Sequence, residues 1–366
     1  MTGKKICCIF NGAAHYRVPI FKLMDKELEC DFYMGNRIAV EIMDYSVLKG
    51  FKGILPSLSV YSNFYWQKGA ASLFFKPYNN YLISGEPFCL STWIILFLNR
   101  LFGKKTYLWT HGWYGRESAV KRVIKNIFFG LSHHIFLYGD YARKLMIKEG
   151  YNADKLSCIY NSLDYDNQLM IRKELSPSGI YSGHFKNDFR NLMFVGRLTS
   201  EKRFDWLLRA LSLLKDEGEI FNLTLIGNGE AREYLEELTK KLGLEDCIWF
   251  YGACYKETEL AELIYNADLC VSPGNVGLTA IHSMTYGTPV ITHDNFPYQG
   301  PEFEVIFEGV TGTFFEYSNI PSLASAVLRW FANAPQRDVI RNNCYEVIDN
   351  RYNPYVQIEL LKKILL

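Results

Sequence analysis

Two glycine-containing turns in the second half of the chain carry the side chains best suited to chemistry. The first, Gly196-Arg197-Leu198-Thr199-Ser200-Glu201-Lys202, follows an apolar run at 191–195 and precedes a helical pattern that begins at Phe204. A strand that ends in a glycine and gives way to a helix is where open α/β sheets bind ligands. Helix N-termini present free N–H groups to anions, and Arg197 and Lys202 add two positive charges. The chemistry implied is phosphate or diphosphate binding; the alternative is a solvated charged turn. A Walker loop is excluded, because G-x-x-x-x-G-K-[ST] is absent. The second turn runs from Ser272-Pro273-Gly274-Asn275-Val276-Gly277 into Leu278-Thr279-Ala280-Ile281-His282. Gly274 and Gly277 permit close backbone approach, so the amides near Leu278 and Thr279 can cradle a second part of a diphosphate. His282 follows Leu278 by four residues, a helical spacing at which a lone histidine is more often packed or exposed than a ligand.

The elements that must position these turns alternate along the chain. In the second half the apolar pattern predicts strands at 191–195, 221–226, 248–251, 269–272 and 289–292. Helical spacing links them: Phe204, Leu207, Leu208, Leu211 and Leu214 share one face, as do Tyr234, Leu235, Leu238 and Leu242. Further helices are expected at 257–267 and 278–286. Strands alternating with helices over short connections imply a parallel sheet covered on both faces. The first half repeats the theme less regularly, with strands at 6–10, 81–83, 106–110 and 134–138 and helices at 17–24, 117–131 and 140–149. Residues 174–188 are rich in Ser, Gly and polar residues and are expected to be the linker. An apolar pattern at 354–366 predicts a terminal helix.

Composition fits this reading. A chain of 366 residues with 49% hydrophobic and 22% charged residues has material for about two packed domains and is no disordered, collagen-like or coiled-coil chain. No apolar run approaches the ~18 residues of a membrane-spanning helix, and residues 1–10 are too short in their apolar part for a signal peptide. Nine scattered cysteines without a C-x-x-C pair suit a reducing compartment and give no metal site, so the expected location is cytoplasmic. Net charge is +1, but residues 1–180 carry 23 basic and 14 acidic side chains (+9) and residues 181–366 carry 17 and 25 (−8). The first half is therefore expected to meet an anionic partner. Lys121, Arg122 and Lys125 alternate with Val123, Ile124, Ile127, Phe128 and Phe129, and Lys104 and Lys105 follow a very apolar segment at 93–102. That pattern suits peripheral contact with an anionic inner-membrane surface; the alternative is that the aromatic residues pack in the core.

The motifs GRLTSEK, LIGNGE (225–230), WFYGAC (249–254), YNADLCVSP (265–273), GLTAIHSMTYGTPVI (277–291) and EVIFEGVTG (304–312) occur in one order over more than a hundred residues. In that order they resemble the nucleotide-binding domain of GT-B glycosyltransferases, most closely the retaining family four. Asn11-Gly12, His111-Gly112 and Asn161-Ser162-Leu163-Asp164 extend the resemblance thinly into the first half. The fold it implies is α/β: two Rossmann-like domains facing a cleft, 1–180 for the acceptor and 190–345 for the nucleotide sugar, with 346–366 returning to the first.

The resemblance assigns roles residue by residue. Arg197 and Lys202 match the basic pair that holds the donor diphosphate and stabilises it as a leaving group. Gly196, Gly277, Leu278 and Thr279 match backbone that meets the phosphates and sugar, Cys254 ends the turn facing the base, and Gly12 lines the donor and acceptor side. His111 matches a histidine close to the transferred sugar. No metal or other cofactor is expected, because the basic pair and the helix ends supply the positive field. The partners implied are a nucleoside diphosphate sugar and a glycan or lipid-linked glycan acceptor, in bacterial capsule, O-antigen or lipopolysaccharide assembly, with no nucleic acid. In the loop after the first strand, His15, Tyr16 and Arg17 are expected to contact the acceptor, or else to form a surface turn. His15 would serve as base if the enzyme inverts. One departure stands out: the family's two glutamates eight positions apart correspond here to Gly274 and His282. His282 can still bond a ribose hydroxyl and Asn275 the sugar hydroxyls. The alternatives are a degenerate, non-catalytic partner subunit and a nucleotide-sugar epimerase on the same fold.

Overall fold

The computed structural model describes residues 5–38 and 41–366; the opening four residues, part of the segment read as too short for a signal peptide, lie outside it. The chain divides into two compact units, one made of residues up to Asp164 together with Arg351–Leu366, the other of Tyr165–Asn350.

The first unit is built on a parallel seven-stranded sheet. Its strands are β1 (Ile6–Phe10), β2 (Cys30–Met34), β3 (Phe51–Ile54), β6 (Asn80–Ser84), β7 (Lys105–Thr110), β8 (His134–Leu137) and β9 (Leu156–Cys158). A separate antiparallel hairpin, β4 (Ser57–Tyr61) and β5 (Phe64–Gln67), falls between β3 and β6 in the chain. The sheet order is β3-β2-β1-β6-β7-β8-β9, so the winding reverses between β1 and β6. Strand β1 is apolar throughout because helices cover both faces. Ile6, Cys8 and Phe10 pack with Phe21, Met24, Ile358 and Leu361, while Cys7 and Ile9 pack with Ile95, Leu96, Phe128 and Phe129. The last helix, Pro354–Leu365, thus lies in the first unit, and Lys362 pairs with Glu27 at 3.0 Å. All nine cysteines are free, and seven of them are buried.

The second unit carries β10 (Arg190–Val195), β11 (Phe221–Ile226), β12 (Ile248–Gly252), β13 (Leu269–Ser272), β14 (Val290–His293) and β15 (Gly312–Phe315). All pair in parallel in the order β12-β11-β10-β13-β14-β15, again with a reversal, here between β10 and β13. The expected linker, 174–188, belongs to this unit and does not join the two. It holds a helix, Ile180–Phe185, whose Tyr181 is buried and donates its hydroxyl to the Leu263 carbonyl at 2.8 Å. One buried aromatic ring outweighs the polar composition around it. The helix Tyr165–Glu174 also belongs here, tied by Arg172 to Asp349 at 2.7 Å, so the chain passes between units at Asp164 and again at Asn350.

Candidate functional site

In the second unit the turns singled out from sequence lie at the two strands that flank the reversal, where an open sheet leaves a crevice at its C-terminal edge. Gly196 follows β10, and Asn275, Gly277, Leu278 and Thr279 follow β13. The two turns are joined directly. The Thr279 hydroxyl donates to the Val195 carbonyl at 2.8 Å, and the Lys202 ammonium donates to the Asn275 carbonyl. Gly277 adopts φ +55°, which lets the chain turn sharply into the helix Thr279–Thr285. The amides of Leu278 and Thr279 open that helix and find no backbone acceptor among the described residues. The Gly227-Asn228-Gly229 turn braces the basic loop: the Leu198 amide donates to the Asn228 carbonyl at 3.0 Å, and a Cβ on Gly227 would lie 1.8 Å from the Gly196 oxygen.

Arg197 is exposed and Lys202 is half-buried. Burial pushes the Lys202 ammonium below its ordinary value, and the nearby carboxylate of Glu302 opposes that. Lys202 therefore stands as a partly desolvated cation, which makes its pull on an incoming anion stronger than in open water. Cys254, at the end of the β12 turn, is half-buried, its thiol pushed up by burial.

Position 274 has no room for a side chain. A Cβ there would sit 2.1 Å from the Glu201 carbonyl oxygen. His282 instead reaches a carboxylate on another element: its Nε2 lies 2.9 Å from Oε1 of Glu257, at the start of the helix Glu257–Asn266. Tyr286 and Gln168 donate to the same oxygen at 2.6 and 2.9 Å. Burial raises the Glu257 carboxyl, but the hydrogen bonds from His282, Tyr286 and Gln168 outweigh it and hold the group at about 2.

The first unit has its own pocket at its own reversal, a cavity of 190 Å³ lined among others by Asn11, Gly12, Arg17, Glu86, Trp109 and His111. Tyr16 and Tyr138 also line it. Gly12, Tyr16, Arg17 and His111, assigned separately from sequence, are brought together here; His15 is exposed and outside the lining. The His111 ring lies 4.6 Å from that of Tyr138. The protein packed around His111, and then the charges of Arg17 and Lys125, lower its pKa to about 4, so the imidazole is neutral at pH 7. The turn after it requires glycine: Gly112 has φ +68°, and a Cβ would meet Leu137 Cδ2 at 2.6 Å.

Sequence reasoning missed Glu86, Trp109, Tyr138 and Glu257. For Glu86 a signal existed, since Ser84-Gly85-Glu86 closes a strand beside the reversal, but the strand order that makes it relevant was not legible. Among the described residues no group of three His, Cys, Asp or Glu side chains is placed to hold a metal ion.

This architecture has close counterparts. Over 99% of both chains it is similar to the crystal structure of Anabaena HepE in complex with UDP, with a TM-score of 0.70 and 14% identity. Over 98% of both it is similar to the lipopolysaccharide outer core galactosyltransferase WaaB, with a TM-score of 0.72 and 16% identity. An uncharacterised glycosyltransferase of Methanocaldococcus jannaschii is 29% identical over 204 residues, 55% of this chain and 51% of that protein, so the chain spans about half the length of that relative. The two-unit α/β fold is that of the GT-B glycosyltransferases. In the second unit, residues 182–347 match the family model described as glycosyl transferases group 1.

Proposed function

We propose that this chain moves a sugar from a nucleoside diphosphate sugar to a glycan or lipid-linked glycan acceptor, with retention, without a metal ion, in bacterial surface polysaccharide assembly. The observation that carries the reading is the joining of the Gly196–Lys202 loop to the Asn275–Thr279 turn at the reversal of the second sheet. Arg197, Lys202 and the amides of Leu278 and Thr279 meet the charge that develops on the diphosphate as the bond to the sugar breaks. The donor phosphate oxygen takes the proton of the attacking acceptor hydroxyl, which suits a site whose family carboxylate positions are Gly274 and His282. Glu257, steadied by His282, supplies the carboxylate for the ribose hydroxyls. The UDP bound by HepE supports a uridine nucleotide, and the lipopolysaccharide substrate in WaaB's description supports the setting.

The same reading places the first unit on a membrane. The helix Ala119–Gly130 buries Phe128 and Phe129 but leaves Val120 69%, Val123 60% and Ile127 56% exposed beside Lys121 and Arg122. The helix Leu90–Leu101, whose Trp93 packs on Phe128, leaves Phe97 59% and Leu101 66% exposed. Apolar side chains interleaved with cations suit an anionic lipid surface, each Lys or Arg adding ~1 kcal/mol. Among the described residues no helix is long and apolar enough to cross a membrane.

A degenerate partner subunit is the second reading, favoured by the absence of carboxylates at 274 and 282. Release of nucleoside diphosphate from UDP-glucose, UDP-galactose, UDP-N-acetylglucosamine or GDP-mannose, lost in Lys202→Ala, supports the transferase. Tight nucleotide binding with no release from any donor turns the reading to the partner subunit.

A further inference from the structure

The pocket of the first unit holds two charges with very different neighbours. Glu86 is fully braced. Its Oε1 accepts from Asn11 Nδ2 at 2.7 Å and its Oε2 from the Tyr65 hydroxyl at 2.8 Å. The Ser84 hydroxyl donates to Asn11 Oδ1 at 3.0 Å and so orients the amide. Both contacts to Glu86 are donors, one to each carboxyl oxygen, and each oxygen keeps a lone pair for a ligand.

Arg17 has no counter-ion: among the described residues no carboxylate pairs with it. Its guanidinium donates to the Tyr138 hydroxyl and lies 5.4 and 5.1 Å from the ring centres of Trp109 and Tyr138. His111 beside it carries no charge at pH 7. The Trp109 indole N–H is buried and among the described residues has no hydrogen-bond acceptor. This wall therefore offers positive charge and donors in excess of acceptors. The aromatic faces and the tyrosine hydroxyls keep the guanidinium charged, and with no carboxylate of the described residues on it, it is left to pair with an anion that a ligand brings.

We propose that this pocket takes an acidic sugar residue of the acceptor, its carboxylate or phosphate on Arg17 and its hydroxyls donating to Glu86. The inference rests on the first unit's being the acceptor-binding one. The cavity, at 190 Å³, is on the scale of one sugar ring. A fixed acceptor at one end and a fixed cation at the other discriminate an acidic sugar from its neutral counterpart, because only the acidic one satisfies both.

The test is calorimetric titration of the full chain with methyl β-D-glucuronide, glucose 6-phosphate and methyl β-D-glucoside, with UDP as a fourth arm. The expected result is that at least one acidic ligand binds about tenfold tighter than the neutral glucoside. Arg17→Gln removes that preference, Arg17→Lys keeps part of it, and Glu86→Gln weakens acidic and neutral ligands alike. Equal affinity for all three sugars, no sugar binding at all, or a preference that survives Arg17→Gln overturns the proposal. So does a loss of UDP affinity in Arg17→Gln without any acidic-sugar preference in the wild type, which assigns the anion to the donor diphosphate. Should Arg17→Gln not fold, the wild-type ratio and Arg17→Lys decide. A chain that binds the glucuronide but no nucleotide sinks the transferase reading and leaves the pocket standing, so the two failures are distinguishable.

Discussion

The amide of Gly274 donates to the carbonyl of Lys202 at 2.9 Å, while the Lys202 ammonium donates onward to the carbonyl of Asn275. The two residues stitch the turn after β10 to the turn after β13, and the Lys202 ammonium is held by the turn that it joins. Glycine at 274 is the condition for this approach, because a Cβ there would meet the Glu201 oxygen at 2.1 Å. The absence of a carboxylate at 274 is thus tied to a backbone arrangement that has no room for a side chain.

It follows that restoring the glutamate fails. Gly274→Glu is expected to destabilise the fold by about 1–3 kcal/mol or more and to weaken nucleotide binding, because the loop must open to admit the side chain. Chemical denaturation and nucleotide titration check both. A stable variant with raised turnover contradicts the account of this turn.

The Glu257 carboxyl gives a pH signature. Its folded pKa lies below the ordinary 4.5, at about 2, so the stability it contributes is present above pH 4.5 and lost as pH falls toward 2. Glu257→Gln should cost on the order of 2–3 kcal/mol at pH 7, and the gap to wild type should close between pH 4.5 and 2. Denaturation curves at pH 7 and pH 3 measure it; a gap of constant size speaks against the hydrogen-bonded carboxylate.

His111 should titrate with a midpoint near 4, observable from its ring proton by NMR. The packed protein around it stays in Arg17→Gln but one neighbouring charge goes, so the midpoint moves upward. Activity between pH 6 and 8 is then independent of this group. An ordinary midpoint in the wild type contradicts its placement.

Vesicles containing anionic lipid should carry the protein in flotation at low salt and release it as salt rises. Val123→Glu with Ile127→Glu should reduce the bound fraction several-fold without lowering the melting temperature, since both side chains are exposed. Binding to neutral vesicles as strong as to anionic ones counts against the basic helix.

Much of the second unit was legible in the sequence, because parallel strands covered on both faces read as short apolar runs closed by glycine. The runs ending at Val195, Ile226 and Ser272 became β10, β11 and β13 with little change. The first unit was harder. Residues 30–34 and 51–54, which include Asp31, Lys52 and Gly53, form β2 and β3 without an apolar pattern strong enough to mark them. The polar stretch around Tyr181 read as a linker because composition does not report one buried ring. At the site, loop residues with glycines were legible, whereas Glu86 and Glu257 act through contacts made 75 and 25 residues away in the chain, to Asn11 and His282. Such distant pairings leave no local pattern.

The measurement that tests the central claim most directly is nucleotide binding, read as the thermal shift of the full chain with UDP, GDP, ADP and CMP, repeated with Arg197→Ala and Lys202→Ala. A nucleotide at a hundred times its dissociation constant stabilises the fold by ~2.7 kcal/mol. The account expects UDP to raise the melting temperature of the wild type and of neither variant. No shift with any nucleotide, or the same shift in all three proteins, contradicts it.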